Sequence, residues 1–122
     1  MKLRIFDNYL RLRLSQNDVE TFQKDGNVCG QTNFANATFH YSLELSDKEE
    51  DVSASLEDNH IRVLVSSSIV ESWLPPEEVG FSNRDQSQLK ILVEKDFQCL
   101  HKRPGEDESN NFPNPLAKEI NE

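Results

Sequence analysis

The chain is poor in the residues from which recognisable catalytic loops are built. Its 122 residues include only four glycines, two cysteines and one tryptophan. No apolar run reaches about 18 residues, the length that predicts a membrane-spanning helix. No Walker loop, dinucleotide-binding glycine motif or nucleophile elbow occurs. We therefore predict no cofactor and assign no catalytic residue.

The cysteines, Cys29 and Cys99, do not form a CxxC pair and so do not predict a zinc knuckle. So few cysteines are typical of a reducing compartment, where thiols behave as small apolar residues, and a disulfide between them is the minor alternative. The start MKLRIF lacks the long apolar region of a signal peptide. We therefore expect a cytoplasmic protein that has no membrane partner.

The net charge is −9, and the acidic excess is confined to the second part of the chain. Residues 1–46 contain five cations and five anions, whereas residues 47–122 contain eight cations and 17 anions. An acidic body disfavours broad nucleic-acid binding, because such binding depends on neutralising phosphates with lysine and arginine. A charge of this kind mainly promotes solubility.

Apolar and charged side chains alternate on both sides of the pair Asp7-Asn8. Residues 2–6 and 9–14 carry leucine or isoleucine at nearly every second position. A period of two predicts two half-buried strands. Aspartate and asparagine tolerate the left-handed backbone of a two-residue hairpin turn. We therefore predict a β-hairpin at the start of the chain.

A short helix and a second hairpin are predicted after this first hairpin. The helix is indicated by a capping box, a buried stripe and a terminal glycine: Ser15 with Asp18, Val19 with Phe22, and Gly26. Residues 28–34 and 37–45 then supply two further strands. The first 46 residues thus predict the order ββαββ.

The stretch 58–73 nearly repeats the stretch 7–22 at an offset of 51 positions. Six of the 16 aligned positions are identical: Asp7/Asp58, Asn8/Asn59, Arg11/Arg62, Ser15/Ser66, Val19/Val70 and Glu20/Glu71. A serine run, 66–68, is predicted to cap the second helix, Trp73 to fill the core, and Pro75-Pro76 to end the helix. Convergence on a common ββα design is the alternative, but the unbroken offset favours an internal duplication.

We predict an α+β fold in which two ββαββ repeats, residues 1–46 and 52–96, share one core. A repeat of about 50 residues is marginal alone, so the two should combine. Combination predicts a curved antiparallel sheet or barrel of about eight strands with two short helices, because closure removes exposed edges. The acidic run 47–51 joins the repeats.

Residues 1–101 are predicted to form a single domain, and residues 102–122 a polar C-terminal tail. The tail is short of core side chains, although Phe112 could dock on the domain. Truncation after Lys102 is predicted to leave the melting temperature nearly unchanged.

Three segments carry a family resemblance: MKLRIFDNYLRLRL, ILVEKDFQCL and NNFPNP. They resemble an uncharacterised family of small bacterial proteins, and the block VEKDF is the most specific part. The resemblance implies a bacterial cytoplasmic origin and no activity. The predicted architecture is also similar to the CYTH (triphosphate tunnel) barrels. Their opening E-x-E-x-K strand is absent here, so this likeness carries no function.

The first hairpin is predicted to carry a basic face opposite its leucine face. Three cross-strand pairs should project from it: Lys2 with Arg13, Arg4 with Arg11, and Phe6 with Tyr9. Clustered cations repel one another unless an anion compensates, and a phosphate or carboxylate would suit the planar arginine fork. Alternatively, Glu44 and other acids on neighbouring strands neutralise the face. At the equivalent positions the second repeat has only two basic or ionisable nitrogen side chains, His60 and Arg62. An anion site on the basic face would therefore occur in the first repeat alone.

A possible metal-ligand cluster lies near the end of the last predicted strand: Glu94, Asp96, Cys99 and His101. Zinc accepts such a mixed set of ligands. The alternative is that this cluster binds no metal and consists of acids at a strand end beside a buried cysteine.

These observations predict a binding or adaptor protein that recognises an anionic small molecule or protein segment through six residues: Lys2, Arg4, Phe6, Tyr9, Arg11 and Arg13. The alternatives are a small metal-dependent hydrolase and a purely structural protein-interaction module. Whether there is any enzymatic activity stays open at this stage, as does the oligomeric state.

Overall fold

The computed structural model describes residues 1–98 and 107–115. These residues form an α+β structure of two helices and two four-stranded sheets. In chain order the elements are β1 Lys2–Phe6, β2 Tyr9–Leu14, α1 Gln16–Asp25, β3 Asn27–Asn33, β4 Thr38–Leu45, β5 Ser53–Glu57, β6 His60–Val65, α2 Ser67–Trp73, β7 Gly80–Ser82 and β8 Lys90–Lys95. Neither described helix is long and apolar enough to cross a membrane.

Each sheet combines one hairpin from each half of the chain. The strand order is β1-β2-β8-β7 in the first sheet and β3-β4-β6-β5 in the second. The hairpins are antiparallel, but β2 pairs with β8 in parallel, and β4 pairs with β6 in parallel. The expected single antiparallel sheet or barrel is therefore wrong, because the described strands form two mixed sheets that do not close. Alternation shows which side of a strand is buried, but not which strand lies beside it.

The order of elements is the same in the two halves, ββαββ in each. Both predicted hairpin turns are confirmed, since Phe6 pairs with Tyr9 and Glu57 pairs with His60. Asp7 has a φ of 45° and Asp58 a φ of 50°, as such turns require. A shared element order does not establish a shared origin, so the internal duplication stays a prediction.

The inner faces of both sheets and one side of each helix contribute to one core. Leu12 of β2, Val63 of β6 and Val93 of β8 are fully inaccessible to solvent. Trp73 of α2 is also buried, and its ring meets that of Phe81 edge-on with 5.2 Å between centroids. The predicted core role of the tryptophan is thus confirmed.

The start of α1 is as predicted, whereas α2 is capped from elsewhere in the chain. Ser15 and Asp18 form the expected capping box. The hydroxyl of Ser66 at the start of α2 makes no capping hydrogen bond. Instead, the backbone N–H and the hydroxyl of Ser67 both donate to Asp47 Oδ1 at 2.8 Å. The backbone hydrogen bond is the largest cause that lowers the pKa of Asp47. A charged acceptor from the acidic joint therefore replaces the serine cap.

The segment 107–115 returns to the end of β8. Phe112 N donates to Asp96 O at 2.8 Å, and Phe112 O accepts from Gln98 N at 2.8 Å. The Phe112 ring packs against Phe97 with 6.3 Å between centroids. Gln16 N donates to the carbonyl oxygen of Asn110, so the segment also contacts the start of α1. Phe112 docks as expected, and the domain boundary at residue 101 stays a prediction.

Candidate functional site

The register of the first hairpin places the predicted site residues on one side of the first sheet. The pairs are Lys2 with Arg13, Arg4 with Arg11, and Phe6 with Tyr9. The leucines of β2 are buried on the opposite side. These six side chains, here called the basic face, therefore project from the outer surface of the sheet.

Glu94 neutralises part of the basic face. The Nε atoms of Arg11 and Arg13 donate to Glu94 Oε1 at 2.6 Å and 2.9 Å. Glu94 reaches both arginines because β8 lies parallel to β2, with Arg13 opposite Glu94. The sequence-based alternative was neutralisation by Glu44 and other acids on neighbouring strands, and it did not name Glu94. The parallel pairing between the halves could not be inferred from the sequence, so this partner was missed.

The remaining two cations of the basic face have different surroundings. Lys2 Nζ lies 2.9 Å from the carboxylate of Asp96. Within residues 1–98 and 107–115, Arg4 makes no ion pair with a carboxylate. Its guanidinium instead lies 5.5 Å from the centre of the Phe6 ring, which stacks on the Tyr9 ring at 4.7 Å. Among the contacts of the described residues, Arg4 is thus the cation of the basic face with the most unused hydrogen-bonding capacity.

Charge counting leaves the basic face positive. It carries four cations (Lys2, Arg4, Arg11, Arg13), and two carboxylates of the described residues contact them (Glu94, Asp96), which leaves a surplus of two within this part of the chain. A surface depression of about 280 Å³ lies over the cations and is lined by Lys2, Leu3, Arg4, Arg11 and Arg13. A compact anion placed there would contact several guanidinium groups at once.

The outer surface of the second sheet differs chemically. Ser42 donates to Glu44 Oε2 at 2.6 Å, and its hydroxyl oxygen lies 2.8 Å from His60 Nε2. Burial is the main cause that lowers the pKa of His60; Arg62 and His40 lower it further, and Glu44 opposes them. Ser42 is almost fully buried, which makes it unsuitable as a nucleophile for an external substrate. No sequence pattern indicated this cluster, because the parallel contact of β4 with β6 creates it.

The structure uses the two described acids of the predicted metal cluster for other contacts. Glu94 binds two arginines, and Asp96 pairs with Lys2. Cys99 and His101 lie outside the described residues. Among the residues that the structure describes, no group of three or more potential ligand side chains is placed to hold a metal ion. The metal site as a whole stays a prediction.

Lys95 is a buried cation that is absent from the site residues predicted from the sequence. It is 2% exposed, and its Nζ donates to the carbonyl oxygen of Pro75 at 2.8 Å. The ammonium also lies 5.8 Å from the centre of the Trp73 ring and 5.6 Å from that of Phe112. Burial is the main cause that lowers the pKa of Lys95. Its spacing of two from Val93 indicated the buried side of β8 and could have identified it.

The described residues define an α+β protein in which two mixed sheets pack around one core, and the outer surface of the first sheet carries the basic face. Residues 1–116 match the model of a family of unknown function, DUF7009, and the chain belongs to that family. The family resemblance is thus confirmed, while the specificity of the VEKDF block and the bacterial origin stay predictions. No curated protein and no solved structure matches the chain.

Proposed function

We propose that this protein is a binding or adaptor protein that recognises an anionic small molecule or an acidic protein segment through the basic face. The observation that carries the proposal is the uncompensated charge. Arg4 lacks a carboxylate partner among the described residues, while Arg11 and Arg13 share the single carboxylate of Glu94. Each arginine has five N–H donors, so one shared carboxylate leaves several of them for a ligand.

Arg4 and Arg11 are the main anchors in this proposal, because they are directly opposite each other on adjacent strands. Like charges in that position repel, and an anion between them would remove the repulsion. Phe6 and Tyr9 form a stacked apolar flank beside the cations. With a net charge of −9, the rest of the molecule repels long polyanions, which favours a compact anion over nucleic acid.

The test is a titration with phosphate, pyrophosphate, tripolyphosphate and citrate, followed by calorimetry and by thermal melting. A ligand that binds only the folded state adds about 2.7 kcal/mol of stability at a hundredfold excess over its dissociation constant. Arg4→Gln should weaken binding by about tenfold, which corresponds to about 1.4 kcal/mol. The double variant Arg4→Gln/Arg11→Gln should weaken it further and still fold.

Arg62→Gln is the matched control, because Arg62 occupies on β6 the place that Arg11 has on β2 and pairs with Glu44 at 3.9 Å. The Arg62→Gln substitution removes one positive charge from the second sheet, so anion binding at the basic face of the first sheet should be unchanged. If wild type binds none of the anions, or if Arg4→Gln binds as well as wild type, the basic face has no recognition role.

A small metal-dependent hydrolase is the alternative function from the sequence, and no described contact favours it. Glu94 and Asp96 would have to release their cationic partners to hold a metal. Melting in the presence of zinc, manganese or EDTA tests this alternative in the same apparatus. A metal-dependent shift without an anion-dependent one would favour the hydrolase.

We also infer that the protein is cytoplasmic and that its halves arose by duplication. The cytoplasmic location is inferred from the low cysteine content, and fractionation of the source cells tests it.

The duplication is inferred from the offset of 51 residues together with the repeated element order. An alignment of family members in which the two halves match each other better than chance would support the duplication.

A further inference from the structure

Two edge strands leave the same side of the core open. Ile5 of β1 and Leu56 of β5 are 54% and 67% exposed. They are nevertheless the register partners of the buried residues Leu10 and Ile61, and so belong to the core-facing sides of their strands. Exposure of these two large aliphatic side chains to water is unfavourable, so covering them would stabilise the protein.

A groove of about 220 Å³ runs between the two hairpins at this opening. Its lining is apolar except for Ser55, and it comes from both hairpins and the residue before β8: Ile5, Leu10, Ala54, Ser55, Leu56, Ile61 and Leu89. The two edge strands therefore border one opening. β1 ends the first sheet and β5 ends the second, so each presents a row of backbone donors and acceptors that no described strand pairs with.

These two edges differ from the other pair of edges, β3 and β7. β7 is three residues long, and β3 ends in the polar sequence Gln31–Asn33. Very short edge strands resist further pairing, and the exposed polar end of β3 offers a second strand no apolar surface to bury. β1 and β5 each have five residues, lack proline and pair regularly with their hairpin partners. They are the edges best suited to accept another strand.

We propose that two copies of this chain associate through these edges, with β1 of each copy pairing antiparallel with β5 of the other. A twofold axis makes both contacts at once, as closed symmetric dimers require. Each sheet of one copy would then continue into the opposite sheet of its partner. The two grooves would face each other, and Ile5 and Leu56 would be buried in a core shared by both copies.

Charge complementarity favours this pairing over the pairing of β1 with a second β1. Matching the core-facing residues of five-residue strands places Lys2 opposite Glu57, Leu3 opposite Leu56, Arg4 opposite Ser55 and Ile5 opposite Ala54. Glu57 would also be the diagonal neighbour of Arg4, within reach of a long side chain. Pairing β1 with a second β1 would place cations opposite cations, which is destabilising. Glu57 makes no ion pair in the part of the chain that the structure describes.

The basic face keeps its outward orientation in such a dimer, because strand pairing uses backbone groups at the edge and not the surface of the sheet. The partner's Glu57 would nevertheless lie beside Lys2 and Arg4, so we expect dimer formation to weaken anion binding at the basic face. Sedimentation would detect a dimer even if it binds no anion, and anion titration would detect binding even if the protein is a monomer. Failure of one proposal is therefore distinguishable from failure of the other.

Sedimentation equilibrium of the full chain, from micromolar to millimolar concentration, tests the association. Wild type should form dimers and no larger species. Glu57→Lys should raise the dimer dissociation constant by at least about tenfold, because it places like charges opposite Lys2. Ser55→Glu should lower it by adding an acid opposite Arg4. Glu20→Lys, on the exposed surface of α1, changes the charge equally and should leave association unchanged.

Cross-linking identifies the pairing strands. In a background without Cys29 and Cys99, Arg4→Cys and Ser55→Cys chains are mixed and oxidised. An interchain disulfide should form in the mixture and to a much smaller extent in either variant alone. Self-cross-linking of Arg4→Cys alone would show that β1 pairs with β1, and a wild type that stays monomeric at millimolar concentration would show that the edges remain free. Either result overturns the proposal.

Discussion

Arg11 and Glu94 form a side-chain hydrogen bond of 2.6 Å that connects the two halves of the chain. The bond exists because β2 and β8 lie side by side in parallel. Arg62 and Glu44 form a looser pair, 3.9 Å apart, in the second sheet, where β6 lies parallel to β4. In each sheet, therefore, an arginine from the hairpin that precedes the helix of one half meets a glutamate from the hairpin that follows the helix of the other half.

Replacing Glu94 with glutamine should separate stability from anion binding. Glu94 is 9% exposed and contacts two arginines, so its loss leaves two like charges beside each other, of which Arg11 is the less exposed. We expect stability to fall by about 1–3 kcal/mol in urea unfolding. Because the face gains net positive charge, the same variant should bind phosphate more tightly. Unchanged or weaker binding would contradict the proposed role of the basic face.

Replacing Lys95 with methionine should destabilise the protein although it removes a buried charge. The ammonium satisfies the carbonyl of Pro75 and lies between the rings of Trp73 and Phe112. Methionine fills a similar volume but cannot donate a hydrogen bond, so we expect a loss of about 1–3 kcal/mol. Lys90→Met, on the exposed side of the same strand, is the control. Equal stability of the two variants would show that the contacts of Lys95 contribute little.

Stability should decrease in mildly acidic solution because of His60. Its pKa in the folded state lies below the ordinary value of 6.5, mainly through burial, so the unfolded chain takes up this proton more readily. The contribution of neutral His60 to the free energy of unfolding is therefore fully present above the pKa of His60 in the unfolded chain. It is lost as the pH falls through the pKa of His60 in the folded state. Urea unfolding between about pH 7.5 and pH 5 should give a flatter profile for His60→Gln than for wild type. Parallel profiles would rule out a contribution from His60.

Removing the contacts of Phe112, by truncation after Lys102 or by Phe112→Ala, should destabilise the protein. The sequence predicted that truncation after Lys102 leaves the melting temperature nearly unchanged. The contacts of Phe112 with Asp96, Gln98 and Phe97 now predict a clear drop. Phe112→Ala alone should cost about 1–3 kcal/mol, since the ring is partly buried against the core.

Phe34→Ala is the matched control for this prediction, because the Phe34 ring is 60% exposed at the tip of the second hairpin. Its loss should change the unfolding free energy little. A truncated chain that melts like wild type would restore the original expectation of a dispensable tail.

The sequence by itself determined the local structure of this protein. Alternation of apolar and charged residues defined the strands, and both predicted hairpin turns are present. The capping box at Ser15 and the left-handed Gly26 set the limits of α1. The same alternation put the four cations of the basic face on one side, because a shift by one residue would bury them. These features depend on neighbours within a few residues, which the sequence shows directly.

Only the tertiary structure decided which strands became neighbours. The parallel contacts β2 with β8 and β4 with β6 produced two open sheets in place of one curved sheet or barrel. They also gave Glu94 its role as partner of two arginines and brought His40 beside His60. A strand buried on one side can pack against many apolar neighbours with similar free energy. The choice among them depends on how all elements fill one core together, and no local pattern contains that information.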